Sequence, residues 1–485
     1  MTKVILIFGG TGDLSRRKLF PALYNLHARK KLEDTVILAC GRKELAKTEF
    51  EKQVGAYIKP RSNQPPIADF LRQVHYHSMD FRNKEEFDGL LKRINELAPD
   101  SLQTVLGYLA VPPAEFEPLV KNGMLVRDSS QRARLRLLVE KPIGTDLASS
   151  RKLNSLFDRF VGEKNVYRID HFLAKEAVEN ILVMRFSNRI FEAIWDNRTI
   201  ASVHISFSEK IGVENRAAFY DKTGALRDFV QSHLLQVLAL LTMDEPSCLE
   251  EDPIKNAKVA ALKRLAPLRA CDVVMGQYHA GEVDDKQVLG YTQEPGVDPA
   301  SRTETFVALR ASVRSPKWKG VPFYLMTGKR LDKGEGMVTI KFKEPKACMF
   351  TPGGDAHGHT HQYAGARIKG LESSTLQIQV QPEEMFRLRF NLKTPEDNLS
   401  IKPFSMDYCY SCDYLYQRLP YEKVFEDALA ADHTRFSRRD EVEMAWKWVE
   451  TLKERPTLRP YRAGSSGPKA ACDLFGKDCP EWFKD

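Results

Sequence analysis

No stretch of this sequence stays apolar over the roughly 20 residues that cross a bilayer, so a hydrophobic membrane-spanning helix is excluded and no membrane partner is expected. Long basic blocks are missing too. The surplus of +8, from 73 Lys and Arg against 65 Asp and Glu, is spread along the chain. It speaks for individual anion sites rather than nucleic acid. Cysteine is scarce: eight in 485 residues, irregularly spaced, fit a reducing compartment better than a disulfide framework. Met1-Thr2-Lys3 runs straight into strand-like residues, and "CPEWFKD" at the other end carries no peroxisomal tripeptide, so a cytoplasmic location is the expectation. There is no internal repeat, and the length exceeds what one core usually supports, which predicts two domains.

What is present has two textures. In the first third, short apolar runs at Val4–Phe8, Val36–Cys40, Gln103–Ala110, Leu135–Glu140 and Asn165–Ile169 alternate with charged amphipathic stretches. This pattern predicts a doubly wound parallel sheet, whose ligands bind beyond the carboxyl ends of the strands. After about residue 170 the period changes. Ser202–Ser208, Thr305–Val313, Met337–Phe342, Thr375–Val380 and Phe386–Leu392 alternate residue by residue, with helical stretches at Ala174–Arg185, Leu226–Leu241 and Asp440–Lys453. A large antiparallel or mixed sheet with helices on one side follows. The fold class expected is therefore α/β plus α+β, with domains at 1–170 and 171–485.

The first run feeds "GGTGDLSRR", a strand, tight turn and helix in the order that seats a pyrophosphate on backbone N–H groups. The third glycine of the usual spacing is absent, and Ser15 stands in its place. Gly9, Gly10, Thr11, Gly12, Asp13, Leu14, Ser15 and Arg16 are the candidate cofactor residues of this turn. The second strand ends in Gly41-Arg42-Lys43, where an NAD site commonly has an acidic residue for the ribose 2′-hydroxyl. Arg42 suits a 2′-phosphate instead, so the cofactor read from the sequence is NADP.

"RIDHFLAKE" at 168–176 resembles the signature of glucose-6-phosphate dehydrogenases, which usually reads RIDHYLGKE. "GGTGDL" (9–14), "YLAVPP" (108–113), "EKPIGTD" (140–146), "LRDFVQSHLLQ" (226–236), "GVPFYLMTGKRL" (320–331) and "VQPEE" (380–384) agree with that family in the same order. The resemblance spans nearly the whole chain. It implies an N-terminal Rossmann domain and a β+α domain whose large, mostly antiparallel sheet builds homodimers, often paired into homotetramers. It also implies oxidation of D-glucose 6-phosphate to 6-phospho-D-glucono-1,5-lactone with hydride transfer to NADP⁺, the first step of the oxidative pentose phosphate pathway.

Such a reaction needs a base of near-neutral pKa, which histidine supplies untuned. Taken alone, a helical histidine is more often a core residue; by the resemblance His233 is the base and Asp170 accepts its other ring N–H. His171 and Lys175, four apart, would share one face of a helix beginning near Asp170, and the family assigns both to the substrate phosphate. Glu209 and Asp228 are implied for sugar hydroxyls, and Lys329 and Gln381 for further substrate contacts. Lys141 follows the fifth strand, within reach of substrate and nicotinamide alike, and Ala110 lines the cofactor groove through its backbone.

The chain departs from the family at Phe172, which replaces a tyrosine, and at "DKGEG", which lacks a family arginine and offers only Lys333. Two further patterns are set aside as metal sites: Cys409-x-x-Cys412 has no second pair, and His357, His359 and His361 sit among glycines and prolines. Two other readings remain open. One is an NADP-dependent dehydrogenase of another aldose or aldose phosphate, the other a non-catalytic NADP-sensing protein.

Overall fold

The computed structural model describes residues 2–98, 104–123, 135–344, 372–393, 395, 401–413, 418–480 and 483. Six strands come from the alternating first third: β1 (Lys3–Phe8), β2 (Thr35–Gly41), β3 (Val74–Ser78), β4 (Thr104–Leu109), β5 (Leu135–Glu140) and β6 (Val166–Ile169). They pair in the order β6-β5-β4-β1-β2-β3, all parallel, and Phe436–Ser437 adds antiparallel to β6 at one edge. Ile5 and Ile7 pack into one apolar cluster, Val4, Leu6 and Phe8 into another. Because helices cover both faces, these strands read as continuous apolar runs rather than alternating ones. The order reverses between β1 and β4, which opens a crevice at their carboxyl ends, just where Gly9 and Ala110 follow.

A second sheet contains β7 (Ile200–Ser208), β8 (Val273–His279), β9 (Phe306–Ala311), β10 (Phe323–Gly328), β11 (Gly336–Phe342), β12 (Thr375–Gln381), β13 (Met385–Lys393), β14 (Ile401–Cys409) and β15 (Leu458–Arg462). Their order is β14-β13-β12-β11-β7-β10-β9-β8-β15, and only β7 with β10 and β8 with β15 run parallel. The mostly antiparallel second sheet read from the sequence is thus present. Strand β14 carries Pro403, which argues against a strand in sequence but is tolerated because β14 lies at the sheet edge, where an N–H is dispensable.

The chain divides into two compact units: Met1–Ala174 with Pro246–Val259 and Arg418–Lys447, and Lys175–Glu245 with Ala260–Gln417 and Trp448–Asp485. The returning segments are built firmly into the first unit. Tyr421, Val424, Phe425 and Ala428 join its core, and Arg136 donates to the carbonyls of Ala428 and Leu429 at 2.7 Å each. A buried ion pair of 2.6 Å joins Lys258 and Glu441.

Two expectations need correction. The segment after β6 is not helical: the Asp170 carboxylate accepts from the Phe172 N–H (3.0 Å) and its carbonyl from the Leu173 N–H (3.0 Å), making a tight turn, and the helix begins only at Glu176. His171 and Lys175 therefore do not share a helix face. Nor are all thiols unpaired: Cys409 bonds Cys412 and Cys472 bonds Cys479, with Cα separations of 5.3 and 5.2 Å. Both pairs are local, three and seven residues apart, so a single turn brings the sulfurs together and irregular spacing along the chain is no obstacle. Cys40, Cys248 and Cys271 are free. The triplet His357, His359 and His361 lies outside the described residues. Among the described residues no helix is long and apolar enough to cross a membrane, and no group of three or more His, Cys, Asp or Glu is placed to hold a metal.

Candidate active site

The nucleotide end is built by the turn after β1. Gly9 has φ +92°, and a Cβ there would stand 2.2 Å from the Ala110 carbonyl oxygen; a Cβ on Gly10 would stand 2.5 Å from that of Ala39. Only glycines let the turn lie against β2 and β4. Both glycine N–H groups donate to the Cys40 carbonyl at 2.9 Å, and the Gly12 N–H donates to the Gly9 carbonyl at 2.9 Å. The glycines thus shape the turn, and the amides left for an anion belong to the first helical turn, Asp13 to Ser15. Ser15 is fully buried, its hydroxyl donating to the Gly9 carbonyl at 2.9 Å, which closes the turn where a third glycine would have packed. Asp13 is exposed and accepts from Arg17 at 2.6 Å. Leu14 packs against the core. The Nε of Arg16 is buried with no hydrogen-bond partner among the described residues, a donor still available to a phosphate.

An open cleft of about 230 Å³ runs from this turn past the ends of β2, β3 and β4. Gly9, Thr11, Gly12, Arg42 and Ala110 all line it, so five of the residues chosen from sequence for the cofactor converge on one groove. Arg42 is exposed and has no ion-pair partner among the described residues. An unfilled guanidinium, an orphaned Arg16 Nε and a helix start fit a phosphorylated dinucleotide.

The same unit holds Lys141, Asp170 and His171. Lys141 follows β5 and its bond to Pro142 is cis. Just before it, Glu140 is fixed by the Tyr108 hydroxyl at 2.5 Å and the Tyr421 hydroxyl at 3.0 Å. Burial pushes the Glu140 carboxyl above its ordinary value, against the lowering effect of those two hydroxyls. The Tyr421 ring lies 6.3 Å from that of His171, and Phe172, buried, lies 5.0 Å from it. Sequence reasoning named Lys141 and His171 but missed Glu140 and Tyr421. The "E" of "EKP" was visible in the motif; Tyr421 gave no local signal.

The second unit holds the rest. Lys175 immediately precedes the helix Glu176–Phe186 and donates to the Val380 carbonyl at 2.7 Å, next to Gln381 and its cis bond to Pro382. Glu384 accepts from the Ala177 N–H at 2.7 Å and so occupies that helix's N-terminus. Glu209 and Lys329, read separately as substrate contacts, form an ion pair of 2.7 Å. The Lys329 ammonium also lies 5.2 Å from the Tyr220 ring centroid. Burial, then the charges of Asp228, Glu304 and Glu209, hold the Tyr220 phenol well above its usual range. Lys333 is exposed in the loop between β10 and β11.

Asp228 and His233 both lie on Leu226–Leu234, a wide π-type helical segment that runs into the helix Leu235–Thr242. Gly224, at φ +70°, kinks the chain just before it, and Glu304 accepts from the Leu226 N–H at 3.3 Å to start it. Such widened turns are frequent at functional sites. His233 is 1% exposed, edge-on to Phe229 at 5.0 Å, and Asp228 is also buried.

A dinucleotide-binding sheet followed by a second, mixed sheet domain with a buried histidine, carboxylates and lysines defines an oxidoreductase. Residues 6–180 match the NAD binding domain of glucose-6-phosphate dehydrogenase and residues 182–483 match its C-terminal domain. The chain is 36% identical over 494 residues to the glucose-6-phosphate 1-dehydrogenase of Bacillus subtilis, covering 99% of this chain and 98% of that one. It is 38% identical over 498 residues to that of Aggregatibacter actinomycetemcomitans, covering 99% and 96%. A solved glucose-6-phosphate dehydrogenase in complex with glucose 6-phosphate superposes with a TM-score of 0.86 at 30% identity, over 99% of this chain and 98% of that one. The Mycobacterium avium glucose-6-phosphate 1-dehydrogenase gives 0.81 at 30%, over 98% and 97%. The chain belongs to the glucose-6-phosphate dehydrogenase family.

Proposed function

We propose that the protein oxidises D-glucose 6-phosphate to 6-phospho-D-glucono-1,5-lactone with NADP⁺ as acceptor. The likeness over 99% of the chain to a solved family member holding glucose 6-phosphate carries this reading. Bound NADP⁺ supplies the hydride acceptor. In this reading His233 takes the proton of the C1 hydroxyl, with Asp170 assigned to steady the resulting imidazolium. His171 and Lys175 take the phosphate, while Glu209, Asp228, Lys329 and Gln381 fix the sugar. Lys141 serves substrate and nicotinamide. Arg42 holds the 2′-phosphate, and the turn from Gly9 to Arg16, with Ala110, holds the rest of the cofactor.

Purified protein mixed with NADP⁺ and glucose 6-phosphate is expected to show the rise of reduced-nicotinamide absorbance. A folded protein that stays silent would overturn the proposal. If other aldoses or aldose phosphates outpace glucose 6-phosphate, the substrate assignment falls while the dehydrogenase reading survives. Self-association into dimers or tetramers belongs to the same reading; it is supported by the apolar side chains that edge strand β14 exposes at Phe404, Met406 and Tyr408.

Phe172→Tyr is expected to lower KM for the sugar phosphate, because a phenol beside His171 restores a donor to a dianion. A hydrogen bond to a charged group is worth roughly 1.5–3 kcal/mol. Steady-state kinetics at saturating NADP⁺ check this, and an unchanged or higher KM removes position 172 from the phosphate site.

A further inference from the structure

The cofactor cleft is lined by a second guanidinium besides that of Arg42. Arg82, in the loop after β3, binds the Glu115 carboxylate through two bonds, Nη2 to Oε1 at 2.6 Å and Nε to Oε2 at 3.2 Å. Both residues line the cleft. Their backbones are pinned independently: the Arg82 N–H donates to Asp80 Oδ1 at 3.0 Å, the Arg82 carbonyl accepts from Asn122 at 3.1 Å, and the Glu115 N–H donates to the Pro112 carbonyl at 2.9 Å. Next to Arg82, Phe81 is anchored edge-on to Phe8 at 5.7 Å.

The two arginines of the groove therefore differ in kind. Arg42 offers a charge without an ion-pair partner among the described residues. Arg82 has spent its charge and its bidentate edge on Glu115, which makes it a poor ligand for another anion. It keeps a planar face held in a fixed orientation, with the side chain 66% exposed. Flat guanidinium groups stack on aromatic π-systems and lose little entropy when pre-organised.

We propose that the Glu115-braced Arg82 is the stacking platform for the adenine ring of the cofactor. The inference rests on the dinucleotide reading of the cleft. A nucleotide with its pyrophosphate at the helix start after Gly12 and its ribose 2′-position at Arg42 has the part of the cleft lined by Arg82 left for its base. Adenine is common to NADP⁺ and NAD⁺, so Arg82 contributes affinity and Arg42 contributes the choice between them.

Calorimetric titration with NADP⁺, NAD⁺ and adenosine 2′,5′-bisphosphate tests this. Arg82→Ala is expected to weaken all three by one common factor of about ten. Arg82→Lys, which keeps the charge and loses the plane, is expected to restore little of that loss. Melting curves of both variants should match the parent, the side chain being mostly exposed. A loss confined to NADP⁺ and the bisphosphate would make Arg82 a phosphate ligand and overturn the platform. Unchanged affinity for all three, or full rescue by lysine, would overturn it too. If the parent protein itself binds none of the three, the dinucleotide reading fails first and takes the platform with it.

Discussion

His233→Asn is expected to lower kcat by roughly 10²–10⁴ while leaving KM for the sugar phosphate within a few-fold of the parent value, the range over which a positioned general base acts. Asparagine keeps a polar side chain of similar reach, so a site buried to 1% exposure is not emptied. What disappears is the acceptor that takes the C1 hydroxyl proton as hydride departs. The surroundings of the ring suit a positioned base, because the π-type segment Leu226–Leu234 fixes the backbone at both ends, through Glu304 on the Leu226 N–H and through the helix from Leu235. Phe229 limits the ring's rotation from one side. Stopped-flow or steady-state rates across pH give the deciding readout. The parent should lose rate on the acid side as the base protonates, and the variant should lose that limb. A normal rate in a folded variant would exclude His233 as the base.

Arg42→Ala is expected to raise Kd for NADP⁺ by about 10–100-fold and to change Kd for NAD⁺ by less than about threefold. The factor follows from one charged contact of roughly 1.5–3 kcal/mol lost to solvent. Arg42 is exposed on the cleft wall; its carbonyl accepts from Ser78 at 3.5 Å, and its guanidinium has no ion-pair partner among the described residues. The guanidinium is thus free to close on a 2′-phosphate. Removing it breaks nothing in the fold, so equal melting temperatures should accompany the change in preference. Equal losses for both cofactors would show that the 2′-phosphate is held elsewhere. Taken with the variants of Arg82, the experiment separates choice of cofactor from affinity for any adenine nucleotide.

Most of the first sheet was legible because its strands obey a simple rule: buried on both faces, they are apolar throughout. β3 escaped, since "VHYHS" carries two histidines on a sheet edge where burial is incomplete. In the second sheet, alternation exposed β7, β9, β11, β12 and β13; it missed β8, β10 and β15, and it failed at β14, where exposed Phe404, Met406 and Tyr408 reverse the polarity that alternation assumes. The turn after β1 was readable because turn chemistry is local: a glycine at positive φ and a serine at the last position announce themselves within seven residues. Helical spacing misled at His171 and Lys175, where an Asx turn gives the same four-residue interval by another route. Residues such as Tyr421 and Glu115 act through partners far away in sequence, and no local pattern marks them.

The return of Pro246–Val259 and Arg418–Lys447 to the first unit sets the order of assembly. On the ribosome, the nucleotide-binding sheet emerges first, yet its unit is completed only with Arg418–Lys447. Tyr108 and Glu140 wait for Tyr421, and the carbonyls that Arg136 binds are made some 290 residues later. Until then the face that receives Val424 and Phe425 stands open to water. Long-range closures of this kind are slow and leave apolar surface exposed in transit. The core of a unit that looks N-terminal in sequence therefore closes only when nearly the whole polypeptide has been made.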